Sequence, residues 1–172
     1  MKRIACSWVL LAACGSAFAG ECRASLRPML LNPAAPPAAE LERVRRLCQA
    51  EADEGDADAA YQLALTYLGL GGEWQPDRAV PMIRSAAERG VSEAQYWLAW
   101  QHETGPMLEH DGAAALGWYL RAAEQNHRLA LARLASAYDQ GELGLPVDVR
   151  KATEYRAREA RCIREQAANI PP

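Results

Sequence analysis

The side chains able to carry chemistry are few in this sequence, and their spacing argues against a catalytic or metal centre. The three histidines are His102, His110 and His127. None is paired as H-x-x-x-H or H-E-x-x-H, so no helical turn brings two imidazoles to one face to hold zinc. Acids cluster at Glu51, Asp53, Glu54, Asp56 and Asp58. A calcium loop needs ligands at alternate positions ahead of its glycine and a closing glutamate, and Gly55 falls where a ligand is required. The run therefore reads as a turn between helices, with acids that favour a helix N-terminus. No G-x-S-x-G elbow presents a serine nucleophile. Gly69, Gly71 and Gly72 lack the Lys-Ser or Lys-Thr of a phosphate loop and read as a hairpin turn. The expectation is a non-catalytic protein with no cofactor and no metal.

The cysteines raise the question of compartment. Lys2 and Arg3, an apolar run over 4–13, the breakers Gly15 and Ser16, and Ala17-Phe18-Ala19 predict a signal peptide over 1–19. Leu11-Ala12-Ala13-Cys14 also reads as a lipobox, in which Cys14 would be lipidated and become the new N-terminus. Gly15 after Cys14 resembles outer-membrane sorting. The expected location is the periplasm, or the outer membrane as a lipoprotein facing the periplasm. Nothing further along is apolar enough to span a bilayer. Cys22, Cys48 and Cys162 remain in either mature form, and an oxidising compartment favours a disulfide. Cys22, in a flexible leader, can reach Cys48, whereas Cys48 and Cys162 lie near opposite ends. No C-x-x-C occurs. Without Lys2 and Arg3 the 19 basic residues become 17 against 22 acidic, a net charge of −5. A nucleic-acid partner is therefore not expected.

The elements that position these residues are helical. Half of the 172 residues are apolar, mostly Ala and Leu with one Phe, which is helix-forming composition. Residues 20–39 contain Pro28, Pro33, Pro36 and Pro37 and are expected to be an extended or disordered leader. From residue 40 the pattern repeats. Ala59-x-Tyr61-x-Leu63-Ala64-x-x-Tyr67 returns 35 residues later as Ala94-x-Tyr96-x-Leu98-Ala99-x-x-His102. It returns after 36 more as Ala130-x-Ala132-x-Leu134-Ala135-x-x-Tyr138. His102 thus takes a tyrosine's place and reads as a packed position. Gly55, Gly90 and Asn126 follow the second helices as left-handed caps. Asp58, Ser92, Asp111 and Asp148 read as N-caps, with a capping box from Ser92 to Gln95. A period near 35 with two helices per unit is a helical-hairpin solenoid. Three full hairpins start near residues 58, 92 and 128, and a single helix over 40–54 caps the N-terminal end. The solenoid is placed at 40–166 and a tail at 167–172.

These repeats resemble a known family. Ala94-Gln95-Tyr96-Trp97-Leu98-Ala99 and the run from Ala114-Ala115-Leu116-Gly117-Trp118-Tyr119 to Ala122-Ala123-Glu124-Gln125 look like the two halves of a Sel1-like repeat. Pro146-x-Asp148-x-x-Lys151-Ala152 and Gly69-Leu70-Gly71-Gly72 fit the same pattern. The resemblance implies an all-α, right-handed α/α solenoid similar to tetratricopeptide arrays, with no shared catalytic residues. His127 and Trp118 sit where the family places a His and a core Trp. Three features depart from the family: Gln75 replaces an Asp, Pro81 interrupts a second helix, and the loop 104–110 lacks the usual glycines.

The aromatic residues carry the functional reading. Trp97 takes the slot of Gln62 and Arg133, and Trp100 that of Leu65 and Ser136. Polar occupants imply partial exposure there, while the competing reading is that local packing buries both indoles. Trp74, in the first hairpin loop, is expected to pack on its own repeat. Trp97, Trp100 and Gln101 are spaced i, i+3, i+4 and share one helical face. First helices line the concave side in related arrays. The resemblance therefore implies a partner-binding face of Trp97, Trp100, Gln101, Gln62, Thr66 and Arg133. Exported members of the family act as envelope scaffolds, host-interaction factors, and immunity proteins that neutralise secretion-system toxins such as phospholipases. The expectation is a protein-binding module whose partner is a toxin, an effector or an envelope component, with immunity as the first specific role. An envelope scaffold, or a structural subunit self-associating through Cys162, is the alternative.

Overall fold

The computed structural model describes residues 20–31, 36–70 and 73–168. The expected signal peptide, Cys14, Pro33, Gly71, Gly72 and residues 169–172 of the tail lie outside the described residues. The described residues form eight helices and no strand. They are α1 (Glu21–Leu31), α2 (Ala38–Asp53), α3 (Ala57–Thr66), α4 (Pro76–Glu88), α5 (Ser92–Thr104), α6 (Gly112–Glu124), α7 (Arg128–Gln140) and α8 (Val149–Ala168). Each helix packs on the next in sequence, so α1–α2, α3–α4, α5–α6 and α7–α8 are stacked hairpins.

The repeated residues make the seams. Ala59, Leu63 and Ala64 of α3 are buried, as are their equivalents Ala94, Leu98 and Ala99 of α5 and Ala130, Leu134 and Ala135 of α7. The second helices bury Ala79, Ile83, Ala86 and Ala87 in α4, and Ala115, Tyr119, Ala122 and Ala123 in α6. Alanine at these points lets helix axes approach closely, and the larger side chains fill the gaps between hairpins.

Turns repeat as strictly as the helices. The amides of Asp56, Val91 and His127 each donate to the carbonyl five residues back, on Glu51, Ala86 and Ala122. Gly55, Gly90 and Asn126 supply the positive φ that this helix ending requires. At the other end of each unit, the amides of Gln75, Asp111 and Asp148 donate to the carbonyls of Tyr67, His102 and Tyr138 at 2.8–2.9 Å. The Asp111 carboxylate then caps α6 through Ala113 and Ala114, and Asp148 accepts from the Lys151 amide at 3.0 Å.

Several expectations are corrected. The leader is helical over Glu21–Leu31, so the helix expected as a lone cap is the second half of a fourth hairpin. Cys22, Leu26 and Met29 lie at i, i+4 and i+7 and are all buried, which offsets the helix bond lost at Pro28. The Cys22–Cys48 disulfide joins α1 to α2, as expected from the sequence. The Glu51 carboxylate accepts from the Cys22 amide at 3.0 Å, satisfying one donor of the first turn of α1. Pro81 does not interrupt α4; it sits on the exposed side near the helix start. The cap of α3 is Asp56, not Asp58, and accepts from Asp58 and Ala59. Ser92 is the first residue of α5 rather than its cap, and no capping box forms, because Gln95 Nε2 donates to the Ala87 carbonyl.

Candidate protein-binding face

The first helices of the hairpins lie side by side and make one face. Arg23 on α1 reaches Asp58 on α3 at 3.4 Å and Glu93 on α5 at 2.5 Å. Arg133 on α7 pairs with Glu103 on α5, so the same face continues to the last hairpin. The slot shared by Gln62, Trp97 and Arg133, and the next one shared by Leu65, Trp100 and Ser136, run across it.

Their side chains meet different fates. Trp100 is 44% exposed, and Trp97 is half-buried against the N-terminal half of the core. Gln62 is mostly covered but lines a groove on this face. Thr66 and Gln101 are fully buried, so neither meets a partner as expected from the sequence. Thr66 is covered by Arg45 of α2, which donates to its Oγ1 at 3.1 Å and to its carbonyl at 2.9 Å. Arg45 also pairs with Glu73 at 3.0 Å and lies over the Tyr67 ring. Gln101 faces inward under the following loop, where its Oε1 accepts from the Met107 amide at 3.2 Å. A Cβ on Gly105 would fall on the Gln101 side chain, so only glycine fits there.

Arg133 belongs to an internal network rather than to a free rim. Its guanidinium is held between Glu103 and Glu142. Tyr119 of α6 donates to the same Glu103 carboxylate at 2.7 Å. Burial pushes the Glu103 carboxyl up, but the hydrogen bonds from Arg133 and Tyr119 outweigh it and hold it below the usual carboxylate range. Hydrogen bonding to Glu103 holds Arg133 above its ordinary value. Burial, with the bond to Glu103, raises the Tyr119 phenol. His127 stacks on Tyr96 with centroids 4.7 Å apart, and burial lowers its pKa.

Two hollows open on the surface, the first of them beside Gln62 and Leu65 of these slots. A groove of about 650 Å³ runs between α1, α3 and the start of α5, lined by Ala24, Arg27, Leu30, Tyr61, Gln62 and Leu65 among others. The share of α1 in it is not legible in the sequence, because four prolines mask the i, i+4, i+7 pattern of Cys22, Leu26 and Met29. A second hollow of about 590 Å³ lies at the start of α4, against Val80, Pro81, Pro106 and Met107. Trp74 lines it at 58% exposure, so this ring does not pack down on its repeat as expected.

The repeat geometry matches a known family. The family model described as Sel1 repeat matches residues 57–91, 92–127 and 128–155 in succession. The chain belongs to the Sel1 repeat family. The matched segments hold α3–α4, α5–α6, and α7 with the first part of α8. The α1–α2 hairpin precedes them in the same register. Cys22 and Leu26 take the places of Ala59 and Leu63, and Val44 and Cys48 those of Ala79 and Ile83. Among solved structures, a Sel1 repeat protein from Oxalobacter formigenes superposes with a TM-score of 0.64 at 23% identity. The match covers 83% of this chain and 58% of that one. The protein c5321, a protective antigen present in uropathogenic Escherichia coli strains with an SLR fold, gives 0.64 at 26% identity. It is covered over 31% of its length and this chain over 83%. This chain thus spans less than two thirds of either protein. Sel1 repeats generally mediate protein–protein interaction, and the family is typically non-catalytic.

Proposed function

We propose that this Sel1 repeat protein is an exported, periplasmic binding module that holds a partner protein on its first-helix face, with Trp100 as the anchor. The observation that carries the reading is the indole of Trp100, left 44% exposed at the centre of that face beside half-buried Trp97. That exposure amounts to roughly 110 Å² of aromatic surface, worth about 2–3 kcal/mol when a partner covers it. The Cys22–Cys48 disulfide supports export, since such bonds persist in oxidising compartments. Immunity against a secretion-system toxin is the first specific role, because a small preorganised array suits tight capture of one partner.

The test places a photo-reactive phenylalanine analogue at position 100 of the protein expressed in its own cells, with the same label at exposed Glu88 as control. One protein joined at 100 and not at 88 is expected. A toxin encoded beside the gene establishes immunity, and an envelope component establishes the scaffold reading. Adducts of this chain alone establish self-association, which the unpaired, half-buried Cys162 thiol also favours. Identical adducts at both positions would remove the first-helix face from consideration. In the Trp100→Ala variant, partner affinity should fall by about 2 kcal/mol, read on protein whose circular dichroism shows that the fold is kept.

A further inference from the structure

The groove beside α1 is a shaped site, and its lining describes what fits. Leu30, Leu65 and Ala24 give it an apolar floor. Tyr61, only 8% exposed, also lines it. The amide of Gln62, 5% exposed, lies in the same wall. Its volume of about 650 Å³ falls within the range of known ligand sites.

Charge narrows the occupant further. Arg23 is fully engaged by two carboxylates, Asp58 and Glu93, at 3.4 and 2.5 Å. Arg27, one turn along α1, is exposed on the rim and has no ion-pair partner among the described residues. The groove therefore offers an apolar floor and, on its rim, an arginine free of any ion pair among the described residues. The complement is a large apolar side chain next to a carboxylate.

We propose that this groove seats a short segment of the partner protein that lays an apolar side chain over Leu30 and Leu65 and sets an Asp or Glu carboxylate on Arg27. The inference rests on the protein-binding reading above and narrows it to one seat and one chemistry. The seat is also tied to oxidation. Arg27, Leu30 and Ala24 all belong to α1, which the Cys22–Cys48 bond and the Glu51 carboxylate hold against α2. An isolated helix of 11 residues with an internal proline does not hold its shape in water, so the groove exists only while α1 is docked.

The probe is a phage-displayed library of random peptides, panned on the full oxidised protein. Enriched peptides are then made with a fluorescent label and titrated by anisotropy. Enrichment of a large apolar residue beside Asp or Glu is expected. Affinity should fall about tenfold or more in Arg27→Glu. It should be abolished in Ala24→Trp, which fills the groove from an exposed position, and reduced in the Cys22→Ser/Cys48→Ser variant. Trp74→Ala, at the separate hollow, should leave it unchanged. Circular dichroism of Arg27→Glu and Ala24→Trp checks that both keep the fold, as substitutions at exposed positions should. Peptides indifferent to Arg27→Glu and Ala24→Trp but weakened by Trp100→Ala overturn the groove and leave the first-helix face standing. Peptides that respond only to Trp74→Ala overturn both. A basic consensus, or no binder at all, overturns the groove.

Discussion

Replacing Cys22 and Cys48 by serine removes the covalent tie between α1 and α2 while leaving two small side chains in their place. The bond closes a loop with a sequence separation of 26. Chain entropy assigns a loop of that length about 3.5 kcal/mol at room temperature. A repeat array distributes such a loss unevenly, because each hairpin is stabilised by itself and its neighbours. Here the loss falls on the first hairpin, where α1 buries only Cys22, Leu26 and Met29. Hydrogen exchange on the oxidised parent and the double serine variant is the assay, with urea unfolding alongside. Amides of α1 should approach the exchange of an unfolded chain, those of α2 should lose part of their protection, and those of α7 and α8 should be unchanged. The urea curve should broaden, or shift its midpoint by about 1–3 M if the array unfolds as one unit. Full protection of α1 in the variant would refute the reasoning, since packing and the Glu51 bond would then suffice without the disulfide.

Three further outcomes follow from the packing. Arg45→Ala should cost about 2–4 kcal/mol in thermal or urea unfolding, because it strips the Thr66 carbonyl of its donor inside the fold; Arg45→Lys should recover only part. Gly90→Ala should cost about 1–2 kcal/mol in the same assays. Nothing lies within 4 Å of the added Cβ, so the whole cost comes from the backbone at φ +98°. Acidification should destabilise the protein in two stages, read as melting temperature against pH. His127, lowered by burial, contributes stability that is complete above its unfolded value of 6.5 and is lost as pH falls below it. Glu103, held down by Arg133 and Tyr119, adds a second loss beginning below its unfolded value of 4.5, and Arg133→Ala should weaken that second stage while the part owed to Glu93, held down by Arg23, remains.

The solenoid was legible because its seams are written in residue types with few alternatives. Alanine recurs where helices touch, and Gly or Asn recurs where φ must be positive, so a period of 35 or 36 can be read directly. The Cys22–Cys48 pair was legible for a similar reason, since few thiols were available. What stayed hidden had opposing local signals. Pro28 argued against a helix more loudly than the buried spacing of Cys22, Leu26 and Met29 argued for one, and tertiary docking decided the outcome. Thr66 and Gln101 have the spacing of face residues, but helical spacing places a residue on a side without saying what covers it. Arg45 covers Thr66 from a different hairpin, and the loop 105–111 covers Gln101. Arg133 reads as a face residue in the sequence because its acidic partners lie 30 and 9 residues away.

The two ends of the described array are stabilised by different means from its middle, and this bears on where binding energy can reside. In the middle, Arg89 just after α4 caps the turn after α2 at Gly55, and Gln125 after α6 bonds Gln95 of α5. These bonds repeat the job of holding hairpins in register with side chains near the turns. At the last hairpin the same job passes to Arg158, which donates to Asn126 and to the Ala123 carbonyl. There the positions of buried Tyr119 and Ala122 are taken by Arg156, which is exposed and pairs with Asp139, and half-buried Glu159. A charged outer face suits water at the end of an array. At the first hairpin the disulfide supplies what small helices and a proline withhold. Large exposed aromatic surface on the first-helix face is concentrated at Trp100, and the apolar groove opens between α1 and α3 on the same face. Neither is needed to close a seam. The part of a side chain that the fold leaves uncovered, on a surface the fold has made rigid, retains its burial energy for a second molecule.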